Sequence, residues 1–149
     1  MSISIFFFVL LAAILVAILE IQIEGSAGWA KNLPTWRSKP EKWYSKFARK
    51  ALNKEELTGY HLALWTTVLL FFHTSFFFGI PWNIALEKKL IASYFLFWML
   101  EDFLWFVFNP AFGIKKFKPQ YIPWHKKWIG PFPKPYYIDL LIVIVLYSI

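Results

Sequence analysis

The chain contains no cysteine. That absence excludes disulfides, thiolate catalysis, zinc ribbons and iron–sulfur clusters. Charge is scarce as well, at 17% of 149 residues against 58% hydrophobic, whereas a soluble domain averages roughly 25% charged and about 45–50% apolar. No Gly-rich nucleotide loop, nucleophile elbow or HExxH helix occurs, which excludes the familiar soluble enzyme classes built on them. No basic stretch precedes the first apolar run, which reads as an uncleaved membrane helix rather than a signal peptide.

Aromatic residues and a net charge of +7 dominate what remains, with Phe, Trp and Tyr at 22%. The basic residues flank long apolar runs, and no nucleic-acid recognition motif accompanies them. This distribution suits anionic lipid headgroups and argues against nucleic acid. The length suggests one domain, 1–149.

A bilayer core needs about 20 apolar residues per helix. Four segments are candidates: residues 3–23, 57–80, 90–108 and 136–149, the last being short. The expected fold is an all-α integral membrane protein, a four-transmembrane-helix bundle with a short fourth helix. Residues 24–56 carry eight Lys or Arg and 109–135 carry six, against Lys88 and Lys89 alone between the second and third segments. The positive-inside rule then places both large loops in the cytoplasm and both termini outside.

The first loop holds an amphipathic pattern over residues 39–53. Ser38 and Glu41 have capping-box spacing, and Trp43, Phe47 and Ala51 recur every fourth residue beside a basic face. An interfacial helix in the headgroup plane is expected. The second loop interleaves Pro, Lys and aromatics, which predicts a lid pressed onto the cytoplasmic interface.

The third segment contains adjacent acids, Glu101 and Asp102, in WMLEDFLWFVFNP. At about 100° per residue, Tyr94, Trp98, Glu101, Asp102, Trp105 and Asn109 fall within roughly 100° of arc. Counting about 1.5 Å per residue from the cytoplasmic end places Glu101 about 10 Å deep and His61 about 6 Å deep, with Trp65 one turn further. Glu24, at the end of the first helix, and His125, in the second loop, are expected at a similar level. His73 lies about 18 Å along the axis from His61, too far to share an ion; it is expected to hydrogen-bond across helices. A buried carboxylate costs about 2.5–3.5 kcal/mol even on a lenient insertion scale, so intramembrane acids are functional candidates.

Two chemistries follow. In the first, Glu101 and Asp102 share a proton and act with His61 as acid/base catalysts, while Tyr94, Trp98, Trp105, Asn109 and Trp65 bind a lipophilic, lipid or isoprenoid-like substrate. Over this short stretch the acid pair followed by aromatics resembles the pattern in small membrane carotenoid cyclases. The resemblance implies an acid that protonates a polyene end, although the proline of that pattern, two places before the first acid, is Met99 here. In the second chemistry, Glu24, His61, Glu101, Asp102 and His125 hold a divalent metal such as iron, manganese or zinc. The Glu-x-x-His spacing of carboxylate-bridged di-iron bundles is missing. A non-enzymatic alternative is an accessory or scaffold subunit that binds anionic lipid, as an oligomer or within a larger membrane complex. A transporter would need polar residues through the outer half, which beyond His73, Thr74 and Ser75 is nearly all apolar.

Overall fold

The computed structural model describes residues 1–51 and 56–148, and the side chains of 49–51 are outside that description. Helix dominates, at 63%. The elements are α1 (Ile3–Glu24), α2 (Trp43–Ala51), α3 (Gly59–Phe72), α4 (Thr74–Phe77), α5 (Ile84–Phe108), a 3-10 turn (Ile114–Lys116), β1 (Trp128–Ile129), β2 (Phe132–Pro133) and α6 (Lys134–Ser148). Two of them, α1 with 22 residues and α5 with 25, are long and apolar enough to cross a membrane. At 1.5 Å per residue they reach about 33 and 37 Å.

α1 starts at Ser2, whose hydroxyl accepts from the Ile5 amide, and ends at Gly25, whose amide donates to Ile21 O. From Ile5 to Leu19 it is apolar all round, the pattern of a helix that does not face water. Small side chains define its inner face: Val9, Ala13 and Ala17 are fully buried, while Phe7, Leu11, Leu15 and Leu19 are exposed on the other. Ala13 and Ala17, one turn apart, let the backbone approach α5 closely. α5 is the shared partner, packed against α1, α6 and α3. Val9, Ala13, Val68, Phe72, Leu96, Phe97 and Val143 form one core layer. Ala17, Ile21, Trp105, Phe106, Phe117, Ile122 and Tyr136 form a second.

The expected 57–80 span is interrupted. α3 covers 14 residues, about 21 Å, and the chain leaves the helix at His73 before the single turn of α4. Side chains there compete with the backbone ladder. His73 Nδ1 donates to Leu69 O at 2.7 Å, and Thr74 Oγ1 donates to Phe71 O at 2.8 Å. His73 Nε2 meets Glu87 Oε1 at 3.1 Å, so this histidine does link two helices.

α5 begins six residues earlier than residue 90. Asn83 caps it by accepting from the Leu86 amide at 2.9 Å, and Glu87 in its first turn suits the helix dipole. The charges at 87–89 therefore belong to the helix and not to a free link. α6 begins at Lys134, slightly before the expected 136, and the expected end at Ile149 lies outside the described residues.

The interfacial helix starts later than its capping box implied. Ser38 is drawn into a pairing with Leu57 instead: its amide donates to Leu57 O, and its hydroxyl accepts from the Leu57 amide, both at 2.9 Å. Helix begins at Trp43, and the expected end at 53 lies outside the described residues. Trp43 and Phe47 point outward at 76% and 63% exposure, whereas Ser45 and Ala48 are buried.

The second loop is pressed against α5, as its aromatics suggested. Trp124 stacks on Phe106 at 5.9 Å and 17°, and Ile122 is fully buried. It also forms an unanticipated hairpin, pairing Trp128 with Pro133 and Ile129 with Phe132. Gly130 turns it with φ +57°, glycine in first place being a feature of two-residue hairpin loops.

Asn109 closes α5 and ties it to the end of α1. Its Nδ2 donates to Gly25 O at 2.8 Å, and its Oδ1 accepts from the Ala111 amide at 3.0 Å. Asn109→Ala is expected to lower unfolding stability by about 1 kcal/mol, because two hydrogen bonds from a buried side chain to the backbone of Gly25 and Ala111 are lost. Denaturation followed by circular dichroism checks this.

Candidate functional site

Glu20 and Glu24 are one turn apart on α1, so both carboxylates leave the same face. His61 enters opposite them from the first turn of α3. Its Nε2 lies 3.5 Å from Glu24 Oε1 and 3.7 Å from Glu20 Oε1. Thr58 caps α3 and orients the ring: its Oγ1 accepts from the His61 amide at 3.2 Å and meets His61 Nδ1 at 2.6 Å. All four residues are buried.

The chain after α1 wraps over this group. Trp29 and Ala30 both adopt positive φ, 48° and 50°, which costs roughly 1–2 kcal/mol per non-glycine residue. Glu24 Oε1 accepts from the Ala30 amide at 2.5 Å. Arg37 donates to Ala30 O and pairs with Glu56. Trp29 Nε1 donates to Glu56 O at 3.3 Å. So held, the Trp29 indole stacks on His61 with centroids 3.9 Å apart and an interplanar angle of 21°. Gly28 precedes it at φ +64°, where an added Cβ would sit 2.7 Å from the Trp124 ring.

Successive residues of α5 point about 100° apart, and the two acids keep different company. Asp102 faces the second loop and α6. Its Oδ2 accepts from the Tyr136 hydroxyl at 2.5 Å and meets His125 Nε2 at 2.9 Å. Trp128 Nε1 donates to His125 O at 2.7 Å and fixes that loop. Glu101 turns the other way, beside Glu20. The two acids of the expected pair thus keep different neighbours: Glu101 lies beside Glu20, and Asp102 meets His125 and Tyr136.

One cavity of about 550 Å³ joins the two groups, within the roughly 300–1,000 Å³ usual for small-molecule sites. Of the residues singled out in the sequence, Glu24, His61, Trp65, Tyr94, Trp98, Glu101, Asp102, Trp105 and His125 all line it. Asn109 does not, because its amide is committed to the α1–α5 junction. His73 belongs to the far end of α3.

The expected metal set also divides. Among the described residues, Glu20, Glu24 and His61 each offer a ligand atom, all within 4.8 Å of one another. Asp102 and His125 pair with each other on another flank.

Three contributors were missed in the sequence. Glu20 was legible, since its spacing from Glu24 puts both acids on one helical face. Tyr136 and Trp29 carried no local signal, because their roles depend on long-range packing. Lys127 and Lys134 also line the cavity and give it a cationic edge.

Fold and site together define a mostly helical protein with two helices long and apolar enough to cross a membrane and a cavity lined by carboxylates, imidazoles and indoles. No family model, curated protein or solved structure matches the chain.

Thr58→Val is expected to lower stability by about 1–2 kcal/mol through loss of the α3 cap and to release the His61 ring. Thr58→Ser should restore both. Thermal unfolding reads the first effect, and the ¹⁵N shifts of the His61 ring read the second.

Proposed function

We propose that this protein is a membrane-embedded enzyme acting on a lipophilic substrate, of lipid or isoprenoid type, by acid/base chemistry in the cavity between α1, α3, α5 and α6. The observation that carries this reading is the meeting of Asp102, His125 and Tyr136 on the wall of a large, aromatic-lined cavity. A carboxylate beside an imidazole orients the ring and stabilises its protonated form, and the imidazole then exchanges a proton with a bound substrate. The Tyr136 hydroxyl donates to the same carboxylate and holds it beside the ring. Trp65, Trp98 and Trp105 provide apolar walls and π faces suited to a hydrocarbon or a developing cation. Lys127 and Lys134 suit an anionic headgroup.

In this reading α1, the broken α3–α4 segment, α5 and α6 form a four-helix membrane bundle with both termini outside and the basic loops in the cytoplasm. The exposed apolar faces of α1 and α6 meet lipid tails. Trp36, Trp43 and Phe47, exposed beside Lys42 and Lys46, rest among anionic headgroups.

Purified protein incubated with a total membrane lipid extract is expected to convert at least one lipid species, followed by mass spectrometry. Asp102→Asn should slow that conversion by about 10²-fold or more, the usual contribution of general acid–base catalysis. Absence of conversion by the unaltered protein, or equal conversion by the variant, overturns the enzyme reading and favours a lipid-binding scaffold.

A further inference from the structure

We propose that Glu20, Glu24 and His61 bind one divalent cation of the manganese, iron or zinc type at the α1–α3 side of the cavity, beside Glu101. The site deepens the enzyme reading by placing a metal in the same cavity, yet it stands on geometry that does not require that reading.

Spacing is the first support. His61 Nε2 lies 3.5 and 3.7 Å from the two carboxylate oxygens. Two ligands about 2.1 Å from one ion, at a tetrahedral angle, lie about 3.4 Å from each other. Both separations from the His61 nitrogen therefore already match those between ligands of a single ion, and the three ligand atoms all lie within 4.8 Å of one another.

Orientation is the second. Thr58 Oγ1 engages His61 Nδ1, which leaves Nε2 as the nitrogen aimed at Glu20 and Glu24. A histidine ligand is commonly held in this way through its other ring nitrogen. Glu24 is braced likewise by the Ala30 amide.

The third support is independent of the trio. Glu101 is 3% exposed and lines the same cavity, and its Oε1 has no hydrogen-bond partner. A buried carboxylate oxygen left so is costly unless something in the cavity takes it up. A dication beside Glu20 meets that need and offsets the charge of three neighbouring carboxylates. An all-oxygen-and-imidazole donor set, with no sulfur, selects manganese, iron or zinc over copper(I).

Metal-depleted protein in mild detergent, titrated with Mn²⁺ and followed by electron paramagnetic resonance, is expected to bind one ion per chain. The bound spectrum should carry hyperfine coupling to a single imidazole nitrogen. Zn²⁺ should displace the Mn²⁺. Glu24→Gln and His61→Ala should each weaken binding at least about 10-fold, and Asp102→Asn should bind as the unaltered protein does. The nitrogen coupling is read on the unaltered protein, so misfolded variants cannot decide the outcome. Absence of saturable Mn²⁺ binding, or bound Mn²⁺ without nitrogen coupling, overturns the site. So does an Asp102→Asn defect as large as that of His61→Ala. Loss of lipid conversion in Asp102→Asn with intact Mn²⁺ binding keeps the metal and the acid/base roles separate.

Discussion

The cost of holding carboxylates away from water organises this molecule. Glu20, Glu24 and Glu101 are each less than 10% exposed, and an isolated buried carboxylate is worth several kcal/mol against folding. Such groups persist only where donors, cations or protons gather around them. The helices deliver that company. α1 presents two acids on one face, α3 brings His61 with its Thr58 brace, and α5 adds Glu101. The left-handed backbone at Trp29 and Ala30 follows from the same need. Its cost of roughly 1–2 kcal/mol per residue is comparable to a charge-assisted hydrogen bond of about 1.5–3 kcal/mol, and the Ala30 amide makes one to Glu24. The strain buries the acid's partner and seats the Trp29 ring on His61.

α5 links the two halves of the site because adjacent residues on a helix diverge. Glu101 and Asp102 serve opposite walls of one cavity: the first joins α1 and α3, and the second joins α6 and the loop that carries His125. Pairs of acids in apolar helices need not act as one diad. Their roles depend on which neighbours each side chain meets a hundred degrees apart.

The molecule is also divided along its length. Charge and cavity collect near the start of α3 and the end of α5. At the other end, His73 and Glu87 tie α3 to α5, with Trp82 donating to the same carboxylate. That tie holds the break after Phe72 against the first turn of α5. Between the ends lies a layer of Val, Ala, Leu and Phe that needs only shape to pack.

Helical character, the apolar lengths of α1 and α5, and the stripe of Tyr94, Trp98, Glu101, Asp102 and Trp105 were determined by the sequence itself. Hydropathy and the 3.6-residue period are local properties of the chain. The inward fold of the aromatic–proline loop was legible for a related reason: too many large rings to leave in water. Tertiary structure alone decided that Asp102 belongs to His125 and Tyr136, that His61 meets Glu20 and Glu24, and that Asn109 is a junction and not a ligand. It also decided that Ser38 pairs with Leu57 rather than capping a helix. Each of these depends on partners 19 or more residues away, and periodicity carries no information about which distant donor will be nearest once the helices pack.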